Sequence, residues 1–172
     1  MKPKTAGRVG GGYRPAGHMA QATSPFAGLV AGASIPTLNG NCAVEDLCPG
    51  THVITRNAGA IPIERIETRS VVTQAVYVIA GSLGHDRPDR DSLLSGAQRV
   101  LVRDWRAKAF LGQTQALVPA QALIDGEFIE DVGQRALTLF RIFCGAPRIL
   151  YADGMELASA DDIALSRTQD AA

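Results

Sequence analysis

The sequence has few cysteines, few aromatic residues and no excess of charge, and each shortage argues against a class of protein. Its 17 basic and 17 acidic side chains cancel, so the charge balance gives no reason to expect nucleic acid or an anionic membrane as a partner. Three cysteines are an odd number, which rules out complete pairing within the chain. A chain of 172 residues also buries enough apolar surface to fold without disulfides or a structural metal.

Long hydrophobic runs are missing as well. No segment approaches the ~20 apolar residues of a membrane-spanning helix, and the N-terminal lysines precede Gly, Pro and polar residues instead of the apolar core of a signal peptide. We therefore expect no membrane association, and a cytoplasmic location is favoured because unpaired cysteines suit a reducing compartment. No cofactor and no nucleic acid are expected. The partner is unknown, and a protein partner or a former fusion domain remains the candidate.

Composition divides the chain into three parts. Residues 1–25 are dense in Gly, Pro and small polar residues, which predicts a flexible N-terminal tail. From Phe26 onward, short apolar runs alternate with turn signals such as LNGN, CPGT, RNAG and IDGE. This rhythm predicts one all-β or mostly β domain over residues 26–160, built as a barrel-like or folded-over sheet. Residues 161–172 are predicted to be a C-terminal tail, at most a frayed helix.

The apolar runs between the turns predict at least seven strands, because they are rich in β-branched or alternating apolar residues. Helical structure is predicted only in short pieces, at residues 44–47 and 120–124, where Pro119 suits a first helical turn. The predicted strands are residues 52–56 (HVITR), 60–67 (AIPIERIE), 71–80 (VVTQAVYVIA), 98–105 (QRVLVRDW), 115–124 (QALVPAQALI), 136–143 (ALTLFRIF) and 148–153 (RILYAD).

The segment GNCAVEDLCPGTHVITRNAG, residues 40–59, combines two cysteines, an acidic pair and a histidine. Cys42, Cys48 and His52 lack the Cys-x-x-Cys spacing of a zinc hairpin, and no second cluster completes four ligands, so no metal site is expected. The favoured interpretation is scaffold, in which both cysteines pack as small apolar residues around a turn. Glu45 is expected to satisfy a nearby backbone or basic group.

A resemblance to a known family is carried by five ordered segments. They are residues 28–59 (GLVAGASIPTLNG through THVITRNAG), 80–84 (AGSLG), 90–102 (RDSLLSGAQRVLV), 116–123 (ALVPAQAL) and 151–159 (YADGMELAS). In these segments the chain resembles the Hint (Hedgehog/intein) domain, in particular its bacterial branch, and VEDL at residues 44–47 matches a block of that family. The resemblance implies a pseudo-twofold, mostly β horseshoe that cleaves or splices its own backbone.

The same resemblance implies where the reacting groups belong. In Hint domains a first cysteine attacks the preceding carbonyl to form a thioester, and a later histidine helps protonate the departing amide nitrogen. This chemistry needs a thiolate and a proton donor with a pKa near the working pH. The resemblance places Gly28 at the cysteine position and Gln98 at the histidine of a block like Ser-Pro-x-His-Arg. Two later histidines of the family fall on Arg141 and Pro147.

Neither residue at the two main positions can perform the reaction, since glycine has no nucleophile and a carboxamide is no acid or base near neutral pH. The pattern therefore predicts a catalytically degenerate Hint-like domain that acts as a binding or structural module. The alternative is an autoprocessing domain with a displaced nucleophile, for which Ser34, Cys42 and Cys48 are the candidates. Each would need a different geometry to reach a scissile bond. A third hypothesis is an unrelated β-rich ligand-binding domain.

Overall fold

The computed structural model describes residues 26–161, and this part of the chain is built almost entirely from short β-strands. One α-helix, α1 (Trp105–Leu111), and two 3-10 helices, Val44–Asp46 and Ala120–Leu123, join them. The mostly β prediction is confirmed. The strands are β1 (Leu29–Val30), β2 (Ser34–Thr37), β3 (Gly40–Ala43), β4 (His52–Thr55), β5 (Gly59–Pro62), β6 (Arg65–Val78), β7 (Ser92–Ser95), β8 (Arg99–Val102), β9 (Ala116–Pro119), β10 (Ile129–Phe143), β11 (Ile149–Ala152) and β12 (Met155–Ala158).

The strands form two antiparallel sheets. The first has the order β1-β10-β6-β7, and its two central strands are long, with 14 residues in β6 and 15 in β10. These two pair from Ile129 opposite Val78 to Phe143 opposite Arg65, with one register shift between Asp131 and Gln134. The second sheet has the order β3-β2-β4-β11-β12-β8-β9, and β5 pairs with β4. Strands that are distant in the sequence therefore pair with each other in both sheets.

One hydrophobic core joins the two sheets. Its fully buried members include Ile35, Val53 and Leu157 from the second sheet and Val76 and Ile129 from the first. Burial alternates along short strands such as β8 and β9, as expected where one sheet face meets the core and the other does not. Each such side chain contributes roughly 1.5–3 kcal/mol when it is fully buried.

The predicted strand at 98–105 is wrong at its end. β8 stops at Val102, and Asp104 then caps α1, because its side chain accepts a hydrogen bond from the backbone N–H of Arg106 at 2.9 Å. Gly112 ends the helix in the left-handed conformation, with φ of 65°. An acidic N-cap and a C-terminal glycine are standard helix boundaries, so the sequence carried a helix signal that the strand interpretation missed.

Two other predictions shift their boundaries. The predicted strands 60–67 and 71–80 become β5 and one continuous β6, because the polar stretch from Arg65 to Ser70 pairs with β10 along the exposed part of the sheet. The predicted strand 115–124 ends at Pro119, where the predicted short helix begins as a 3-10 helix. The predicted N-terminal tail, residues 1–25, lies outside the described residues, and so does the predicted C-terminal tail, residues 161–172, apart from its first residue, Asp161.

Candidate functional site

Gly28 and Gln98, the two positions at which the resemblance implies the nucleophile and the proton donor, line one small cavity. Gly28 directly precedes β1 of the first sheet, and Gln98 directly precedes β8 of the second, so the cavity lies where the sheets meet. Arg141 of β10 also lines it, whereas Pro147 does not. The cavity has about 10 Å³ of interior space, which is room for roughly one water molecule.

The side chain of Gln98 is buried and holds two strands together. Its Nε2 donates hydrogen bonds to the carbonyl oxygens of Arg99 at 3.1 Å and Ala158 at 3.0 Å. Both neighbours are acceptors, which fixes the orientation of the carboxamide. The backbone carbonyl oxygen of Gln98 accepts from the backbone N–H of Ala120 at 2.8 Å. Gln98 thus connects the start of β8 to the end of β12 through its side chain and to the 3-10 helix Ala120–Leu123 through its backbone.

Gly28 packs directly against β10. A Cβ atom built on Gly28 would lie 3.1 Å from Cβ of Leu139 and 3.1 Å from the carbonyl oxygen of Phe140. Both contacts are shorter than ordinary van der Waals separations, which are about 3.5–4.0 Å for carbon pairs. Any side chain at this position therefore requires β1 and β10 to move apart by a few tenths of an ångström.

Arg141 brings a fixed positive charge to the cavity. Its Nη1 donates to Oε2 of Glu67 at 3.2 Å, and its guanidinium lies over the rings of Phe26 and Phe143, 4.9 Å and 5.3 Å from their centroids. Arginine does not deprotonate in proteins. Arg141 can therefore stabilise negative charge in the cavity, but it cannot act as a proton donor there.

Comparison with known proteins identifies the family. A family model described as "Hint domain" matches residues 27–162. This chain belongs to the Hint domain family. The expected Hint-like arrangement of β-sheets is confirmed, and no curated protein sequence matches the chain significantly.

Two solved structures are similar to this Hint domain. An intein-like domain from the bacterium Clostridium thermocellum has a TM-score of 0.52 and 15% identity, over 78% of this chain and 99% of that one. A DnaB intein from Synechocystis has a TM-score of 0.53 and 9% identity, again over 78% and 99%. At these identities the similarity shows a shared fold.

Ser159 is the one cavity residue with a hydroxyl, and sequence reasoning missed it. It is buried, donates to Oδ2 of Asp161 at 2.9 Å and accepts from the backbone N–H of Arg148 at 3.1 Å. The signal was its position at the end of YADGMELAS, a segment that carried the family resemblance. A serine beside a carboxylate without an imidazole lacks the usual base for nucleophilic attack.

The alternative nucleophile Ser34 lies outside the lining of this cavity. It belongs to β2, where its backbone N–H donates to Oδ1 of Asp153 at 3.0 Å and its carbonyl oxygen accepts from the backbone N–H of Asp153 at 3.0 Å. These two bonds fix β2 against the turn between β11 and β12. The backbone of Ser34 therefore has a structural role.

The two cysteines of the segment 40–59 also lie outside the cavity lining. Cys42 belongs to β3, and its pKa is raised by burial, with the negative charge of Asp46 as the next cause. A raised pKa keeps Cys42 in the weakly nucleophilic thiol form near neutral pH. Cys48 is exposed, and its Sγ lies 3.9 Å from the carbonyl oxygen of Asp46. The expectation that both cysteines pack as small apolar residues is therefore wrong for Cys48, whereas Cys42 does pack against the core.

The prediction that Glu45 satisfies a nearby backbone or basic group is confirmed. Its Oε2 accepts a hydrogen bond from the backbone N–H of Gly32 at 2.8 Å, and this bond is the main reason why the pKa of Glu45 is lowered. Gly32 has a φ of 90°, which favours glycine at this turn. Glu45 thereby connects the 3-10 helix Val44–Asp46 to the turn between β1 and β2.

Neither a metal-binding cluster nor a membrane-spanning helix is present in the part of the chain that the structure describes. Within residues 26–161, no group of three or more His, Cys, Asp or Glu side chains is placed to hold a metal ion. Over the same residues, no helix combines the length and the apolar character needed to cross a bilayer.

Proposed function

We propose that this Hint domain does not rearrange its own backbone and acts instead as a binding or structural module. The observation that carries the proposal is the meeting of Gly28, Gln98 and Arg141 around one cavity, at positions where the resemblance implies a cysteine and two histidines. A hydrogen atom, a carboxamide and a guanidinium supply neither a thiolate nor a proton donor near neutral pH. Among the described residues that line this cavity there is no cysteine and no histidine.

The packing of the cavity supports the same proposal. The interior has room for roughly one water, and a side chain at Gly28 would need Leu139 and Phe140 of β10 to shift by a few tenths of an ångström. Both amide hydrogens of Gln98 have acceptors within the fold. Gly28 therefore serves close packing and Gln98 cross-links strands, and neither role requires catalysis.

Autoprocessing through Ser34, Cys42 or Cys48 is the competing function. None of the three lines the cavity, and Cys42 has a raised pKa. Ser159 does line the cavity, so it joins the group of candidate nucleophiles that an experiment should cover.

The test is the intact mass of the chain expressed with an N-terminal fusion partner, measured with and without added thiol. We expect one uncleaved species in both samples, because a thioester never forms. An active Hint domain in the same fusion serves as the positive control. Fragments that increase with thiol, or that disappear in Ser34→Ala, Cys42→Ala, Cys48→Ala or Ser159→Ala, would establish autoprocessing and identify its nucleophile.

A further inference from the structure

Three arginines converge on one buried carboxylate in the second sheet. Glu156 of β12 has a side chain that is only 2% exposed. Its Oε1 lies 2.9 Å from Nη1 of Arg56, 2.8 Å from Nη1 of Arg87 and 3.1 Å from Nη2 of Arg103. Arg56 follows β4, Arg87 lies in the loop between β6 and β7, and Arg103 follows β8. Three separate loops therefore place like charges at one point.

This cluster has more positive than negative charge. Three guanidiniums and one carboxylate leave an excess of two positive charges. Asp104 lies beside the cluster, but it is paired with Arg106 at 2.5 Å. Like charges held this close disfavour one another unless a counter-ion compensates them.

Unused hydrogen-bonding capacity remains on both sides of the cluster. Each guanidinium has five N–H donors, and within residues 26–161 Glu156 is the one side-chain hydrogen-bond or ion-pair partner of Arg56, Arg87 and Arg103. They are 31%, 25% and 31% exposed, so a solute can reach them. Oε2 of Glu156 is buried and has no hydrogen-bond partner among the described residues. The fold thus leaves charged N–H donors open to solvent beside this buried carboxylate.

An open cavity adjoins the cluster. Arg87, Arg103, Asp104, Glu156 and His85 are among its lining residues, whereas Arg56 is not. Its interior space is about 20 Å³, by the measure that gives about 10 Å³ for the cavity at Gly28, and the two cavities share no lining residue. His85 and Asp86 on its loop have φ values of 54° and 56°, a left-handed conformation that His and Asp adopt more often than most other residues.

We propose that this arginine cluster binds a phosphate group, either inorganic phosphate or the phosphate of a monoester. A dianion matches the excess of two positive charges, and the planar N–H forks of arginine match phosphate oxygens in bidentate geometry. A carboxylate has one charge and two oxygens, which is too little for three guanidiniums. Glu156 acts as a positioning residue, because it holds the guanidiniums together before the anion arrives and so reduces the cost of binding.

The direct test is titration of the protein labelled with ¹⁵N at arginine, followed through the Nε–H signals. Sodium phosphate, phenyl phosphate, sodium sulfate and sodium acetate are compared at constant ionic strength. We expect saturable shifts at Arg56, Arg87 and Arg103 with phosphate and phenyl phosphate, and much weaker ones with acetate. Tighter binding of phenyl phosphate would point to a monoester as the source, and tighter binding of phosphate to the free ion.

Matched variants complete the test. Arg103→Gln or Arg87→Gln should weaken phosphate binding at least about tenfold, since each removes a charge-assisted contact. Arg135→Gln, an exposed arginine of β10 that donates to Val132, should leave binding unchanged. The proposal is overturned if the wild-type signals do not saturate, if acetate shifts them as much as phosphate does, or if the cluster variants match Arg135→Gln. If a variant does not fold, the wild-type titration alone decides.

Discussion

Gln98 donates a hydrogen bond from Nε2 to the carbonyl oxygen of Ala158 at 3.0 Å, across the junction between β8 and β12. The donor occupies the position at which Hint resemblance implies a histidine, and the acceptor is the backbone carbonyl of the last residue of β12. Gln98 therefore cross-links two strands of the fold. We therefore expect substitutions of Gln98 to affect the stability of the domain first.

Replacement of Gln98 by leucine tests that role. Gln98→Leu keeps approximate size but leaves the carbonyl oxygens of Arg99 and Ala158 without their donor, which should cost about 1–3 kcal/mol of unfolding free energy. Urea denaturation measures the loss. Gln134→Leu, at an exposed position of β10, is the control and should stay within about 0.5 kcal/mol of wild type. Equal stability of the two variants would show that the Gln98 bonds contribute little.

Addition of a methyl group at Gly28 tests the packing of β1 against β10. Gly28→Ala should lower the unfolding free energy by about 1–3 kcal/mol, since overpacking of a buried site strains the surrounding backbone. The matched control is Gly96→Ala, where the nearest atom is the flexible end of Gln74 and can move away. Thermal denaturation compares them. A Gly28→Ala domain as stable as wild type would mean that the strands separate easily and that the position still accepts a side chain.

The turn at Asp153 offers a third prediction. Oδ1 of Asp153 accepts from the backbone N–H of Ser34 at 3.0 Å and from Nε of Arg90 at 2.8 Å, and Oδ2 accepts from the hydroxyl of Ser92 at 3.1 Å. Its φ of 50° favours Asn or Asp over Ala. Asp153→Ala should therefore lower the unfolding free energy by about 2–3 kcal/mol, because the backbone N–H of Ser34 and the hydroxyl of Ser92 lose their acceptor. The contact with Arg90 adds little, since that side chain is 53% exposed.

Asp153→Asn separates the two causes. It keeps the turn conformation and one acceptor oxygen, so its loss in denaturant melts should lie between wild type and Asp153→Ala. Exposed Asp46→Ala serves as the control with little change. If the Asn and Ala variants unfold together, the turn conformation does not contribute, and the carboxylate charge accounts for the whole effect.

The pH dependence of the unfolding free energy should show the raised pKa of Cys144. Burial raises the pKa of this thiol from its ordinary 9.0 to about 11, and the negative charge of Asp161 adds to the effect. Because the folded state holds the proton more tightly than the unfolded state, this contribution is complete below pH 9 and is lost as the pH rises to about 11.

The comparison that isolates this thiol is wild type against Cys144→Ala. Over the interval from pH 9 to about 11, the unfolding free energy of wild type should fall more steeply than that of the variant. Urea denaturation at several pH values measures both slopes. Parallel slopes would show that Cys144 titrates normally in the folded domain.

Much of the architecture follows from local signals in the chain. The turn residues around LNGN and RNAG, the β-branched run at residues 52–56 and the proline at 119 predict elements whose positions the structure confirms. The continuity of β6 was not predictable in this way, because the polar residues 68–70 between the predicted strands 60–67 and 71–80 give no strand signal until β10 pairs with them. The helix α1 was missed for a different reason, since its caps at Asp104 and Gly112 were visible but outweighed by the preceding apolar run.

The amino-acid sequence by itself determined the β-rich class, the family resemblance and the identities of Gly28 and Gln98. Only the tertiary structure decided that these two residues share a cavity with Arg141 and Ser159, and that Arg56, Arg87 and Arg103 surround Glu156. The physical reason is the difference in sequence separation between the residues that interact. Turn and strand propensities depend on neighbours a few positions apart, whereas these clusters form where strands distant in the chain pair across two sheets.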